Sequence, residues 1–204
     1  MSTPDVILIG LAAAAGSGKD TAADHLCARY GFVRASFAEA PRVMLEALLS
    51  HIGVDHAWLH EPRLKESPMP VLEHSYRTLM QTLGTEWGRN MVGHGLWVRV
   101  LEHHLGLDVA QPVHDRIVVT DVRYPNEAAL LRQHGGHLVG ITRPDAPAVR
   151  PHSSEAHFAE LHAEADTTIV NCSSHLAGLH TLLDGLMHQL GVDERPALGP
   201  YPEA

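Results

Sequence analysis

The chain is poor in lysine and cysteine, and it has no long apolar run. Of 15 basic residues only Lys19 and Lys65 are lysines; the others are arginines, the side chain that grips phosphate through two parallel hydrogen bonds, although base composition of the genome can produce the same bias. Two cysteines, Cys27 and Cys172, have no metal-type spacing, so buried thiols in a reducing compartment are expected and a disulfide is not. No stretch is long enough to span a membrane, and Met1–Asp5 lacks the basic region that begins a secretory signal, so a cytoplasmic location is expected. A net charge of −9 argues against a broad nucleic-acid surface, and neither a nucleic-acid nor a membrane partner is expected. The 17 histidines are scattered, with no His-x-x-x-His pair backed by a carboxylate, and read as surface or core residues. Gly16-Ser17-Gly18 is not a Gly-x-Ser-x-Gly elbow, which excludes the usual serine hydrolase arrangement. There is no internal repeat.

What is present is a glycine-rich turn between a buried strand and a helix. Val6 to Ala12 is continuously apolar, the pattern of a strand covered on both faces of a parallel sheet. Ala14, Ala15, Gly16, Ser17, Gly18, Lys19, Asp20 and Thr21 follow. Gly16 and Gly18 let backbone N–H groups turn inward around a phosphate, the helix N-terminus behind them adds donors and the positive end of its dipole, and Lys19 supplies a point charge. This is a phosphate loop of the P-loop type with two departures: Ala13 stands where the motif has glycine, and Asp20 where it has a hydroxyl residue. A magnesium ion would then be held partly by Thr21 or mainly by phosphate oxygens and water.

Strands alternate with helices along the rest of the chain. Helical spacing runs from Asp20 to Tyr30 and stops at Gly31; a short strand covers Phe32 to Ser36. Pro41 opens a helix whose apolar face is expected to be Val43, Met44, Ala47 and Leu48. From about His51 to Glu73 three prolines break any long element, which marks a mobile segment. Ser75 caps a helix running past Leu83 towards Trp87 and Met91, and Leu96 to His104 forms another. Strands follow at Arg116–Thr120, His137–Thr142 and Thr167–Asn171, with helices from Pro125 to about Gly135, near Ser154–His162 and from Leu176 to Leu190. These imply an α/β, doubly wound parallel sheet of about five strands with ligands at the strands' carboxyl ends.

Three clusters together resemble the phage-type deoxynucleoside monophosphate kinases, P-loop kinases related to adenylate kinase. They are Ala14–Thr21; Arg77-Thr-Leu-Met-Gln-Thr-Leu-Gly-Thr-Glu-Trp-Gly-Arg89 with Trp97 behind it; and Asp121-Val-Arg-Tyr-Pro-Asn-Glu127. Arg143-Pro144, His152–Glu155 and Asn171 are weaker echoes. The resemblance implies one P-loop kinase domain over residues 1–192, with a helical acceptor-binding region near 37–105, a lid near 143–163 and a flexible tail at 193–204. It also implies ATP and Mg2+ as cofactors, a deoxynucleoside monophosphate as the small-molecule acceptor, and a homodimer.

On this reading Ala14 to Thr21 hold the ATP phosphates, and Lys19, Asp121, Arg123 and Arg143 are the catalytic set. Arg77, Gln81, Thr85 and Arg89 recur at intervals of four, which puts them on one helical stripe; the resemblance turns that stripe towards the monophosphate, while taken singly each reads equally well as solvated surface. Trp87 either stacks on a base or plugs the core. Arg42 and Lys65 close on the acceptor phosphate or serve as surface ion-pair partners. Asp121, ending a buried strand, holds magnesium through water, as Thr21 would, or the acceptor sugar or base, or else neutralises Arg123 or Lys19. Arg123 faces the moving phosphoryl group, and Arg150 and Glu155 belong with Arg143 to the lid. Two other activities remain open: a phage DNA-modification kinase acting on a hydroxymethylated base, and a regulatory module that binds nucleotide without turnover.

Overall fold

The computed structural model describes residues 6–55, 57–61, 63–110, 112–144, 157–172 and 176–195. Chain contacts divide it into two units, one comprising 1–36 with 102–204 and the other 37–101.

The first unit is built on five parallel strands: β1 (Ile7–Ala13), β2 (Val33–Ala35), β3 (Arg116–Val119), β4 (His137–Thr142) and β5 (Thr167–Val170). Their spatial order is β2-β3-β1-β4-β5, so the apolar first strand is central and sheltered on both edges, as its composition requires. Register pairs Gly10 with Val119 on one side and with Leu138 on the other. The chain leaves β1 towards β2 and leaves β3 towards β4, in opposite directions, so the carboxyl ends of β1 and β3 flank a topological switch point.

Helix α1 (Lys19–Tyr30) covers the sheet with Ala22, Ala23 and Leu26 buried, and ends at Gly31, whose φ of 68° lets its own N–H turn back to the Cys27 carbonyl and the Phe32 N–H to the Leu26 carbonyl. Leu179, Leu183 and Met187 of α8 (Leu176–Gln189) join the same core beside Ile9, Leu11, Val139 and Ile141. Between α1 and α8 the Asp184 carboxylate meets His25 Nε2 at 2.7 Å and accepts from the Tyr30 hydroxyl at 2.8 Å. Burial would raise the Asp184 carboxyl, but these bonds and the Arg29 charge outweigh it and hold the group below its usual range; burial and the same carboxylate push the Tyr30 phenol up to about 12. Asp193 and Arg195, at the start of the expected tail, make bonds of their own: Arg116 donates to the Asp193 carbonyl at 2.7 Å, and Arg195 pairs with both Asp115 oxygens at 2.6 and 2.9 Å.

The second unit contains α2 (Glu39–His51), α3 (Ala57–His60), α4 (Tyr76–Gln81), a π-helical segment over Thr82–Val92, and most of α5 (Leu96–His104). Its core corrects the expected face of α2. Leu45 and Leu49 are buried with Val54, Leu59, Met69 and Tyr76, whereas Val43, Met44 and Leu48 are exposed. The helix is apolar around more than half its circumference, so two adjacent stripes compete, and the one in line with Pro41 wins. Val54, Leu59 and Met69 come from the proline-broken stretch read as mobile, which therefore supplies half of this core.

Helix α4 begins as expected, with Ser75 Oγ accepting the Thr78 N–H at 3.2 Å. Its continuation differs. Trp97 Nε1 donates to the Gly84 carbonyl at 2.7 Å, and its indole lies where a methyl on Gly88 would come within 2.4 Å of ring atoms. The Gly93 N–H closes onto the Gly88 carbonyl five residues back. A side chain inserted against two glycines thus accompanies the wider winding, a feature common at functional sites.

The remaining helices are α6 (Pro125–Gln133), with proline at its first position, and α7 (Phe158–Ala163). The stretch expected to be a lid lies mostly outside the described residues, Arg150 and Glu155 included. Both cysteines are free, but Cys172 is exposed, which corrects the expectation of a buried thiol; it follows the end of an edge strand, where the sheet no longer covers it. Among the described residues no helix is long and apolar enough to cross a membrane, and no three His, Cys, Asp or Glu residues form a metal-holding group.

Candidate active site

The glycine loop leaves the carboxyl end of the central strand and runs directly into α1. Gly16 has φ 79° and Gly18 φ 102°, left-handed values that a side chain resists, so both glycines are required by the turn. Among the described residues nothing lies within 4 Å of where a Gly16 side chain would be, so they leave that face of the loop open. Ser17 does not face outward: it is buried, with its hydroxyl donating to the Ala14 carbonyl at 2.7 Å and its N–H to the same oxygen at 3.3 Å. It braces the loop from inside. The first helical bond of α1 runs from the Ala22 N–H to the Gly18 carbonyl, leaving the N–H groups of Lys19, Asp20 and Thr21 in the acceptor-free first turn. Lys19 Nζ sits 2.8 Å from both oxygens of the exposed Asp20 carboxylate.

Beside this loop lies the turn after β3. The Val122 N–H donates to the Leu11 carbonyl at 3.2 Å, which ties that turn to β1. Asp121 is half-buried, and its Oδ2 accepts from the Ser36 hydroxyl at 2.8 Å. Arg123 is exposed; its backbone N–H donates to Glu127 at 2.7 Å, and that buried carboxylate also takes the Tyr124 N–H at 3.1 Å. Glu127 thereby closes the N-terminus of α6 and fixes the backbone from which Arg123 projects. Arg143 is exposed immediately after β4. The loop, Asp121, Arg123 and Arg143 therefore share the carboxyl edge of one sheet.

In the helical unit the proposed acceptor residues form a gradient. Arg77 is exposed and paired with Glu66, Gln81 and Thr85 are half-buried, and Arg89 is buried. The stripe begins on α4 and passes into the π-helical segment, so its interval of four does not trace the straight line expected of an α-helix. Trp87 is partly exposed and stands 6.0 Å, centroid to centroid, from the buried Trp97. Lys65 accepts the Arg77 N–H on its carbonyl at 3.1 Å and holds its ammonium 5.8 Å from the centre of the Tyr76 ring. Arg42 is half-buried in the first turns of α2.

Three residues that brace the site had no role in the sequence reading: Ser36, which holds the Asp121 side chain, and Glu127 and Asn171, quoted there only within the resemblance, which hold backbone. Glu127 was legible as the acidic residue three positions after an N-cap. Ser36 and the Asn171 amide reach across the sheet, and no local spacing announces that.

The oxygen donors at the loop suit a hard divalent ion: a Thr21 hydroxyl in the first turn of α1 and an Asp121 carboxylate at the next strand end. The positive φ values at Gly16 and Gly18 and the open outer face suit a polyphosphate.

A glycine loop at the end of the central strand of a five-stranded parallel sheet, with an acidic residue ending the neighbouring strand, defines a P-loop α/β fold. The family model described as deoxynucleotide monophosphate kinase matches residues 69–181, and the chain belongs to that family. A protein of Acanthamoeba polyphaga mimivirus, provisionally described as a deoxynucleotide monophosphate kinase, is 30% identical over 174 residues, covering 81% of this chain and 89% of the relative. The deoxynucleoside-5'-monophosphate kinase of Escherichia phage T5 is 42% identical over 69 residues, 34% of this chain and 26% of its own length. A dephospho-CoA kinase from Campylobacter jejuni aligns with 93% of this chain and 98% of its own at 13% identity and a TM-score of 0.49.

Proposed function

We propose that the protein transfers the terminal phosphoryl group of ATP to a deoxynucleoside monophosphate, giving the diphosphate and ADP. The observation that carries this reading is the loop geometry: two left-handed glycines at the end of the central strand, followed by a helix whose first turn offers unpaired donors, in a chain of this family.

Such a reaction brings two polyanions together and spreads charge over the group that moves, so the protein supplies alignment and positive charge. On the donor side, the N–H groups following Gly16 and the Lys19 ammonium hold the triphosphate; Lys19 exchanges the Asp20 carboxylate for phosphate oxygens when ATP arrives. Thr21 and, through water, Asp121 would hold magnesium, which would neutralise charge on the outer phosphates. Ser36 fixes the Asp121 side chain, and Glu127 fixes the backbone that carries Arg123. Arg123 and Arg143 stabilise the charge that develops on the moving group. On the acceptor side, Arg77, Gln81, Thr85 and Arg89 bind the monophosphate, Trp87 contacts its base, and Arg42 and Lys65 add charge. Arg150 and Glu155 belong to a lid that excludes water. The acceptor phosphate is itself a nucleophile, so no general base is needed. A cytoplasmic location and a homodimeric assembly complete the reading.

The test is ADP release with ATP, magnesium and each natural and hydroxymethylated deoxynucleoside monophosphate in turn, using the wild-type chain and Lys19→Ala. Turnover with at least one monophosphate, lost in a folded Lys19→Ala variant, is the expected result. ATP-dependent labelling of hydroxymethylated duplex DNA with no monophosphate turned over would replace the reading with a DNA-modification activity, and tight ATP binding without turnover of any acceptor would replace it with a regulatory one.

A further inference from the structure

Asn171 lies at the end of β5, one residue past the last strand position, and is buried at 7% exposure. Its backbone N–H is held by the Thr142 carbonyl at 2.7 Å, so the side chain projects from a fixed point at the sheet's carboxyl edge. The side-chain Nδ2 donates to the Ser17 carbonyl at 3.0 Å. A methyl group added to Gly18 would stand 2.7 Å from that same nitrogen, so the amide lies directly against the Gly18 backbone.

The consequence follows from peptide geometry. In a trans peptide the C=O of one residue and the N–H of the next point in opposite directions. Drawing the Ser17 carbonyl towards Asn171 therefore turns the Gly18 N–H to the opposite side. This peptide rotates about ψ of Ser17 and φ of Gly18, and Gly18, at φ 102° and without a side chain, offers little steric resistance on its side. In the rotated form the loop would present a carbonyl oxygen in place of a donor, and two oxygens would then face one another across the phosphate site. The other polar atoms of Ser17, its N–H and hydroxyl, are both spent on the Ala14 carbonyl and restrain the opposite side of the residue.

We infer that Asn171 is a positioning residue for triphosphate binding, its amide holding the Ser17–Gly18 peptide in the orientation that presents the Gly18 N–H as a phosphate donor. The inference rests on the reading of this loop as the ATP site. It assigns a part in donor binding to a residue on the far edge strand, and it makes the position sensitive to the loss of one proton donor, not to a change of volume.

Asn171→Asp preserves the shape and replaces the donor by an acceptor facing the Ser17 oxygen; Asn171→Ala removes the group. Each is titrated with ATP by calorimetry beside the wild type and Lys19→Ala, with KM measured for both substrates and thermal unfolding recorded. Asn171→Asp is expected to raise the ATP dissociation constant and KM by roughly tenfold or more, the scale of one lost charge-facing hydrogen bond, with KM for the monophosphate within about twofold of wild type. ATP affinity unchanged in a folded Asn171→Asp or Asn171→Ala protein overturns the inference. If Lys19→Ala also binds ATP normally, the reading of the loop itself has failed, which is a separate result. Where neither Asn171 variant folds, hydrogen exchange of the wild-type Asn171 side-chain amide decides: one protected proton supports the clamp, and fast exchange of both overturns it.

Discussion

The hydroxyl of Ser36 donates to Asp121 Oδ2 at 2.8 Å, joining the residue just past β2 to the strand end beside the phosphate loop. The register Ala35↔Val119 brings the two strand ends side by side, with Ser36 one residue and Asp121 two residues beyond the last ladder position. The bond restrains the Asp121 side chain at the strand end.

Ser36→Ala should therefore loosen Asp121 without unfolding the sheet. One hydrogen bond to a charged group is worth about 1.5–3 kcal/mol, so a fall in kcat of roughly tenfold is expected, with KM for ATP little changed. Steady-state kinetics and a melting curve check it; a kcat equal to wild type would show that Asp121 needs no such support.

The acceptor arginines differ in environment and should differ in effect. Arg89 is buried at 7% exposure in the π-helical segment, whereas Arg77 is exposed and already paired with Glu66. Arg89→Lys keeps the charge but loses the planar fork, and should reduce kcat/KM for the monophosphate by roughly tenfold or more while KM for ATP stays the same. Arg77→Ala should cost less, because its guanidinium must leave an ion pair in water to bind the acceptor. Equal losses in the two variants would contradict the gradient.

Much of this arrangement was legible in the chain. Val6 to Ala12 announced a strand covered on both faces, the glycines fixed the turn, and Gly31 and Pro125 marked helix boundaries, because each of these depends on the conformational limits of nearby residues. The misreadings share a different cause. Which of two apolar stripes on α2 turns inward depends on Val54, Leu59 and Met69, well beyond the helix itself. The widened winding at Thr82–Val92 depends on Trp97, whose indole occupies the backbone surface left bare by Gly88. Ser36 and Asn171 act on partners 85 and 154 residues away in the chain, so no local pattern announced the part either plays, although Asn171 was among the weaker echoes of the family.

Gly88 tests that account directly. A methyl there would stand 2.4 Å from the Trp97 ring, far inside contact distance, and the indole cannot retreat without breaking its 2.7 Å bond to the Gly84 carbonyl. Gly88→Ala should lower stability by about 1–3 kcal/mol, the usual cost of overpacking, and should shift the fluorescence of Trp97. Gly84→Ala, where nothing among the described residues lies within 4 Å of the added carbon, should be milder. Chemical denaturation of both variants decides; an equally mild Gly88→Ala would mean that the ring does not rest on that backbone.

The pH dependence of stability should carry the mark of His162. Its ring packs on Phe158 at 4.5 Å between centroids and lies 2.7 Å from where a Gly140 side chain would begin; its Nε2 is buried with no partner among the described residues. Burial holds the imidazole below its usual range, with a hydrogen bond to the Ile141 backbone acting the other way. A histidine whose folded value is depressed binds its proton more readily when unfolded, so its contribution is intact above about pH 6.5 and is lost as pH falls through the folded value. One such group can change stability by at most about 1.4 kcal/mol per pH unit. Asp184, also depressed, loses its contribution only at lower pH, below the ordinary carboxylate range near 4, so the two losses separate on the pH axis. His162→Phe keeps a ring against Gly140 and removes the titrating nitrogen, so its melting temperature should fall less than that of the wild type between pH 7 and pH 5, while both fall together below pH 4. Parallel curves across the upper window would show that the ring nitrogen finds a proton acceptor on solvation and carries no such penalty.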